Sequence, residues 1–147
     1  GWHVPSDGQW TILEEFLIAN GYNYDGSSYN CSPCSYDQNK IAKAMASTTG
    51  WNGSATTGDP GNDQSSNNSS GFNAFPVGYR VSYKDSSFDA EGSSAKFWSS
   101  TENNSSGFNA WTRYLTMTSE RLYRYDESGT DGVGNVQNGF SVRFVRD

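Results

Sequence analysis

The 147-residue chain has the length of one domain, and residues 1–147 are read as a single unit. Ten Lys+Arg stand against sixteen Asp+Glu, a net charge of -6 that repels a phosphate backbone and excludes nucleic acid as a natural partner. Only 33% of residues are hydrophobic, but 15% are aromatic, and rings bury enough area to exclude a disordered chain. Apolar runs such as Phe16-Leu17-Ile18-Ala19 are too short to cross a bilayer, so membrane insertion is excluded as well. The chain opens on Gly1-Trp2 rather than Met and is read as a mature or excised piece of a longer protein.

In chain order, Ser6 and Gln9 have the spacing of a capping box. Trp10, Leu13, Phe16 and Leu17 then share one face of a helix that Asn20-Gly21 ends. A second helix is predicted from Asp37 to Ser47 with Ile41, Ala44 and Met45 inward. From Gly50 to Ser70 the chain turns to Gly, Asn, Asp, Ser and Thr, which reads as a long loop. Strands are expected at Phe72–Phe75, Tyr79–Tyr83, Lys96–Ser99, Ala110–Met117, Arg121–Tyr125 and Phe140–Arg146. Helices followed by strands give an α+β class with an antiparallel sheet.

The octapeptide Asn-Asn-Ser-Ser-Gly-Phe-Asn-Ala occurs twice, at 67–74 and 103–110. Two copies are too few for a solenoid. They predict a shared geometry in which a polar loop hands over to a strand at Gly-Phe, with a common ligand contact as the alternative. In the long loop, Asp59, Asn62 and Asp63 offer hard oxygen ligands suited to calcium, although such loops are more often plain turns. Six Asn-x-Ser sequons, at Asn30, Asn52, Asn67, Asn68, Asn103 and Asn104, read as an Asn/Ser-rich surface. His3 is the sole histidine, too little for a nucleophile–base pair, and is expected to be structural.

Strand alternation divides the last third. Trp111, Arg113, Leu115, Met117 and Leu122 are expected inward, with Thr112, Tyr114, Thr116, Tyr123 and Tyr125 outward. This predicts a recognition face of Asn103, Asn104, Thr112, Tyr114, Thr118, Tyr123, Tyr125 and Asp126. Rigid amphipathic rings beside small polar groups are the composition that antibody-like surfaces favour. Ordinary cross-strand Tyr and Thr pairs are the alternative.

Several short motifs occur in a fixed order: Gly1-Trp2-His3-Val4-Pro5-Ser6-Asp7, Ser47-Thr48-Thr49-Gly50-Trp51, Gly71-Phe72-Asn73-Ala74, Gly78-Tyr79-Arg80, Phe97-Trp98-Ser99-Ser100-Thr101-Glu102, Ala110-Trp111 and Gly139-Phe140-Ser141-Val142-Arg143. Together they make the chain resemble the Fibrobacter succinogenes major paralogous domain over essentially its whole length. The resemblance implies a C-type-lectin-like fold, akin to the variable proteins of diversity-generating retroelements and to formylglycine-generating enzymes. It also implies an exported bacterial surface domain, commonly the end module of a larger protein. Two departures stand out. Phe144 occupies the place of the family's usual Cys in the last strand, and the family carries a strand upstream of Gly-Trp-His-Val-Pro, whose loss would leave a sheet edge unpaired.

Cys31-Ser32-Pro33-Cys34 holds the only two cysteines. In an exported protein they read as a disulfide closing a tight loop, with free thiols or metal and redox chemistry as the alternatives. The reactive cysteine pair of the formylglycine-generating relatives lies late in their sequences, and this chain has none beyond Cys34. The functional expectation is therefore a secreted or cell-surface, adhesin-like binding module with no enzymatic activity, whose ligand is an extracellular glycan or protein. The rivals are a structural module without a ligand and an enzyme.

Overall fold

The computed structural model describes residues 1–28, 38–81, 87–103, 109–126 and 138–147. Among them are the strands β1 (Trp2–His3), β2 (Tyr79–Arg80), β3 (Phe88–Asp89), β4 (Ser94–Asn103), β5 (Asn109–Thr116), β6 (Tyr123–Asp126) and β7 (Val145–Arg146), and the helices α1 (Asp7–Ala19) and α2 (Ala42–Met45). The strand pairs are antiparallel: β1 with β7, β2 with β3, and the central sheet β4-β5-β6. Helix and antiparallel sheet together make the class α+β, as expected. No helix of the described residues is long and apolar enough to cross a membrane.

The capping box forms as predicted, with the Ser6 side chain accepting from Gln9 N and the Gln9 side chain accepting from Ser6 N. The helix ends at Asn20, and Gly21 follows at φ 79°, a left-handed position that glycine takes without strain. Its buried stripe differs from the expectation. Trp10, Leu17 and Ile18 are buried and Leu13 partly so, whereas Phe16 is 57% exposed and Glu14 is buried in its stead.

The second helix shrinks to one turn over Ala42–Met45, and Ile41, Ala44 and Met45 are buried as expected. Upstream of it, tertiary hydrogen bonds replace the helical ladder. The Asn39 amide donates to Leu122 O at 2.8 Å and accepts from Leu122 N at 2.7 Å, copying a strand partner, while Lys40 N donates to Asn23 Oδ1. Phe72–Phe75 forms no strand; among the described residues its ladder contact is the Ala46–Ala74 bridge. The final strand is likewise reduced to Val145–Arg146, with Ser141 bridging Phe97.

The core is a cluster in which Trp10, Phe72 and Phe97 meet at 5.5–5.9 Å between ring centroids, close to Leu17, Ile41, Met45, Leu115 and Leu122. In β4 the register shifts between Trp98 and Glu102. Backbone and side chain of this irregularity bind the start of α1: Ser100 N donates to Pro5 O, and Asp7 N donates to Thr101 Oγ1.

The two octapeptides do not share a geometry. In the first copy Asn67 closes a 3-10 turn, and Asn73 is exposed at φ 58°. In the second, the equivalent Asn103 ends β4 and Asn109 begins β5, where it is buried. Residues 104–108 of that copy, Asn104 included, lie outside the described residues, as do Cys31 and Cys34.

Candidate functional site

The register of the central sheet assigns its faces. Lys96, Tyr114 and Tyr123 are cross-strand neighbours, and beside them Trp98, Thr112 and Tyr125, so all six project to one side. Phe97, Arg113 and Arg124, with Trp111 and Asp126, project to the other, where α1 packs.

On the helix side Arg113 is completely buried and paired with two acids of α1. Its Nε donates to Glu14 and its Nη1 to Asp7 Oδ1 at 2.7 Å. Arg124 holds the same Asp7 through Nε at 2.9 Å and Nη2 at 2.8 Å, and its guanidinium lies 3.3 Å above the Trp111 ring. Burial pushes the Glu14 carboxyl above its usual range, and the Arg113 charge offsets this only in part. Burial acts on Asp7 in the same direction, but hydrogen bonds and charge from Arg124 and Arg113 outweigh it and hold that carboxyl below its usual range. This network fixes α1 on the sheet. Trp111 is thus half-buried beneath Arg124 rather than a core residue.

On the opposite side the rings form a continuous array. Tyr114 and Tyr123 stack at 4.8 Å with 14° between their planes, and Tyr125 meets Tyr114 edge-on at 6.2 Å. The Lys96 ammonium lies 5.4 Å from the Tyr114 centroid, 4.7 Å from Tyr79 and 5.0 Å from Phe140, and Phe140 packs on Trp98 at 4.4 Å. Between these rings and the Ala90–Ser94 segment opens a cleft of about 610 Å³, lined by Tyr79, Lys96, Tyr114 and Tyr125 and by the hydroxyls of Ser93, Thr116 and Thr118. The Tyr123 hydroxyl is 2.9 Å from Ser119 Oγ, which fixes that ring against Tyr114. This is the size and mixture of rings with a few polar groups that small-ligand and saccharide sites display.

Of the residues predicted for the recognition face, the structure brings Tyr114, Thr118, Tyr123 and Tyr125 together. Thr112 shares their side of the sheet but is fully buried, its hydroxyl donating to Tyr125 O at 3.2 Å. Asn103 and Asp126 correct the prediction. They hydrogen-bond each other at 3.0 Å, and pairing with Asn109 and Trp111 puts them on the helix side, where they cannot rim the tyrosines. The alternation that points Tyr125 outward requires Asp126 to point the other way. Tyr79, Lys96, Trp98 and Phe140 were missed. Phe97-Trp98 carried a readable signal, since one of two adjacent strand aromatics must face away from the core.

The long loop does not present Asp59, Asn62 and Asp63 as one ligand set. Asp59 is buried with Oδ2 accepting from Ser54 Oγ at 2.6 Å, Asn62 donates its amide to Ser54 O, and Asp63 is exposed with its carboxylate turned to Ser65. The Lys43 ammonium sits against Asn62 O, Asp63 O and Asn67 Oδ1 and supplies the loop's cation. No cluster of three acidic, His or Cys side chains able to hold a metal exists among the described residues. His3 is tied to Asp147 Oδ1 at 2.7 Å and to the Gln9 side chain, a structural position beside the β1–β7 pair.

The fold and this face define an α+β domain with a ring-lined cleft on the open side of its central sheet. The chain belongs to the Fibrobacter succinogenes major domain family, whose model matches residues 1–146. It matches no curated protein and no solved structure.

Proposed function

We propose that this domain is an extracellular, adhesin-like binding module whose ligand, a glycan or a protein, sits on the tyrosine face. The reading rests on one observation above all: Tyr79, Tyr114 and Tyr125 converge with Lys96 on a cleft of about 610 Å³ bordered by Ser93, Thr116 and Thr118, with Tyr123 stacked on Tyr114. A structural module without a ligand has no need of such a concave aromatic patch. Sugar rings stack on aromatic faces while hydroxyl and amide groups meet their edges, and the same composition suits a protein epitope. Placement at a secreted or cell-surface location, and a C-type-lectin-like arrangement of the α+β elements, are part of the proposal. They rest on the resemblance carried by the family's motifs.

The test is a glycan and protein array probed with the purified domain and, in parallel, with Tyr123→Ala. Binding to a discrete set of ligands that the variant loses supports the reading. A domain that binds nothing on either array, or a variant that binds the same set equally well, overturns it.

A further inference from the structure

Flanking α1 along Gln9, Trp10 and Leu13 lies a second cavity, of about 330 Å³, walled by Trp10, Leu13, Phe72, Phe144 and Val145, with Arg143 beside them. Its walls are mainly apolar and aromatic, and its volume is about twice that of an engineered apolar cavity of roughly 150 Å³ that holds benzene. Arg143 is the charged residue of its lining. The Trp10 indole N–H is buried and meets no acceptor among the described residues. Arg143 stacks its guanidinium 4.5 Å from the Phe72 centroid and gives Nη2 to Phe72 O and Asn73 O, while Nε and Nη1 meet no acceptor among the described residues. It pairs with no carboxylate among the described residues, although the chain carries six more acids than bases.

We propose that this cavity binds a small aromatic carboxylate, its ring system against Phe72 and Phe144 over Trp10 and its anionic group on Arg143. Charge complementarity selects the carboxylate, because a guanidinium partly enclosed by apolar walls gains from a charge-assisted acceptor, here through a single N–H since Nη2 is held by the Phe72 and Asn73 carbonyls. The rings select an aromatic body, which fits edge-on or offset contacts with Phe72 and Trp10. This site is separate from the tyrosine face, so the two proposals stand or fall independently.

The probe is 2-naphthoate, with naphthalene-2-carboxamide as its uncharged counterpart, titrated into the folded domain while the indole N–H resonances are followed by NMR. The expected result is a Kd of about 1 mM or tighter, ordinary for a ligand of this size, with the Trp10 resonance moving most. Arg143→Met should weaken naphthoate about tenfold and leave the carboxamide unchanged. Phe144 is 60% exposed, so Phe144→Ala should fold normally and weaken both probes. Tyr123→Ala should bind both as the wild type does. Failure to saturate, equal losses of both probes in Arg143→Met, or loss of naphthoate in Tyr123→Ala would each overturn the proposal. So would self-association abolished by Phe144→Ala without naphthoate binding, which would assign the cavity to a second copy of the chain.

Discussion

The two faces of the β4-β5-β6 sheet come from alternating residues of the same strands, yet they use polar chemistry in opposite ways. On the helix side, Arg113 and Glu14 are enclosed and answered by each other, by Asp7 and by Arg124. On the other side Lys96 and the hydroxyls of Ser93, Thr116 and Thr118 stand at an open cleft between rings. Charges on the first face have their partners within the chain and fix the helix in place. Groups on the second border an accessible cleft. Arg113 and Tyr114 are consecutive in one strand, which is how a small domain keeps a demanding interior and an accessible surface in the same element.

The comparison breaks most visibly at Arg113. Replacing it by Met leaves Glu14 buried without its main partner and should cost about 3–5 kcal/mol, measured by urea unfolding. Replacing Arg113 and Glu14 together by apolar residues should recover part of that loss, because no lone buried charge remains. Next comes Trp111→Ala, which removes the ring under Arg124 without emptying the core and should cost about 1–3 kcal/mol. On the open face, Tyr123→Ala forfeits its stack with Tyr114 and should cost only about 0.5–1.5 kcal/mol. A larger loss there would mean that the tyrosines belong to the core.

Titration sharpens the helix side, because its two acids shift in opposite directions. The depressed Asp7 carboxyl contributes stability above its ordinary pKa of 3.8 that is lost as pH falls through its lower folded value. Asp7→Asn should therefore close its gap to the wild type in acid. The raised Glu14 carboxyl contributes below its ordinary value of 4.5, and that contribution is lost as pH rises through the higher folded value. Glu14→Gln should accordingly improve relative to the wild type as pH rises from the carboxylate range toward neutrality. Stability curves of the three proteins across pH check both signs.

Local signals made α1 legible: a capping box, an apolar stripe and an Asn-Gly stop are all matters of near neighbours in sequence. What lay beyond the sequence reading depends on distant partners. The second helix is short because Asn39 serves Leu122, 83 residues away, and no local pattern announces that bond. The paired octapeptides make the same point more sharply. Asn73 and Asn109 have identical neighbours for six residues upstream, yet one takes a left-handed turn beside the Ala46–Ala74 bridge and the other pairs with Asn103 across the sheet.

Other features were readable and missed. An arginine on an inward strand face requires an acid, and Asp7 and Glu14 lie two helical turns apart, beside Trp10. On the recognition face, period-2 parity applied consistently would have removed Asp126 from the tyrosine side.

The most direct test of the account is paired measurement of affinity and stability for Tyr123→Ala and Tyr125→Ala, using a ligand recovered from the arrays. Each should weaken binding by about tenfold or more while shifting unfolding by no more than about 1.5 kcal/mol. Undiminished binding with normal stability would place recognition elsewhere on the domain, and early unfolding would show that the ring-bearing face is part of the core.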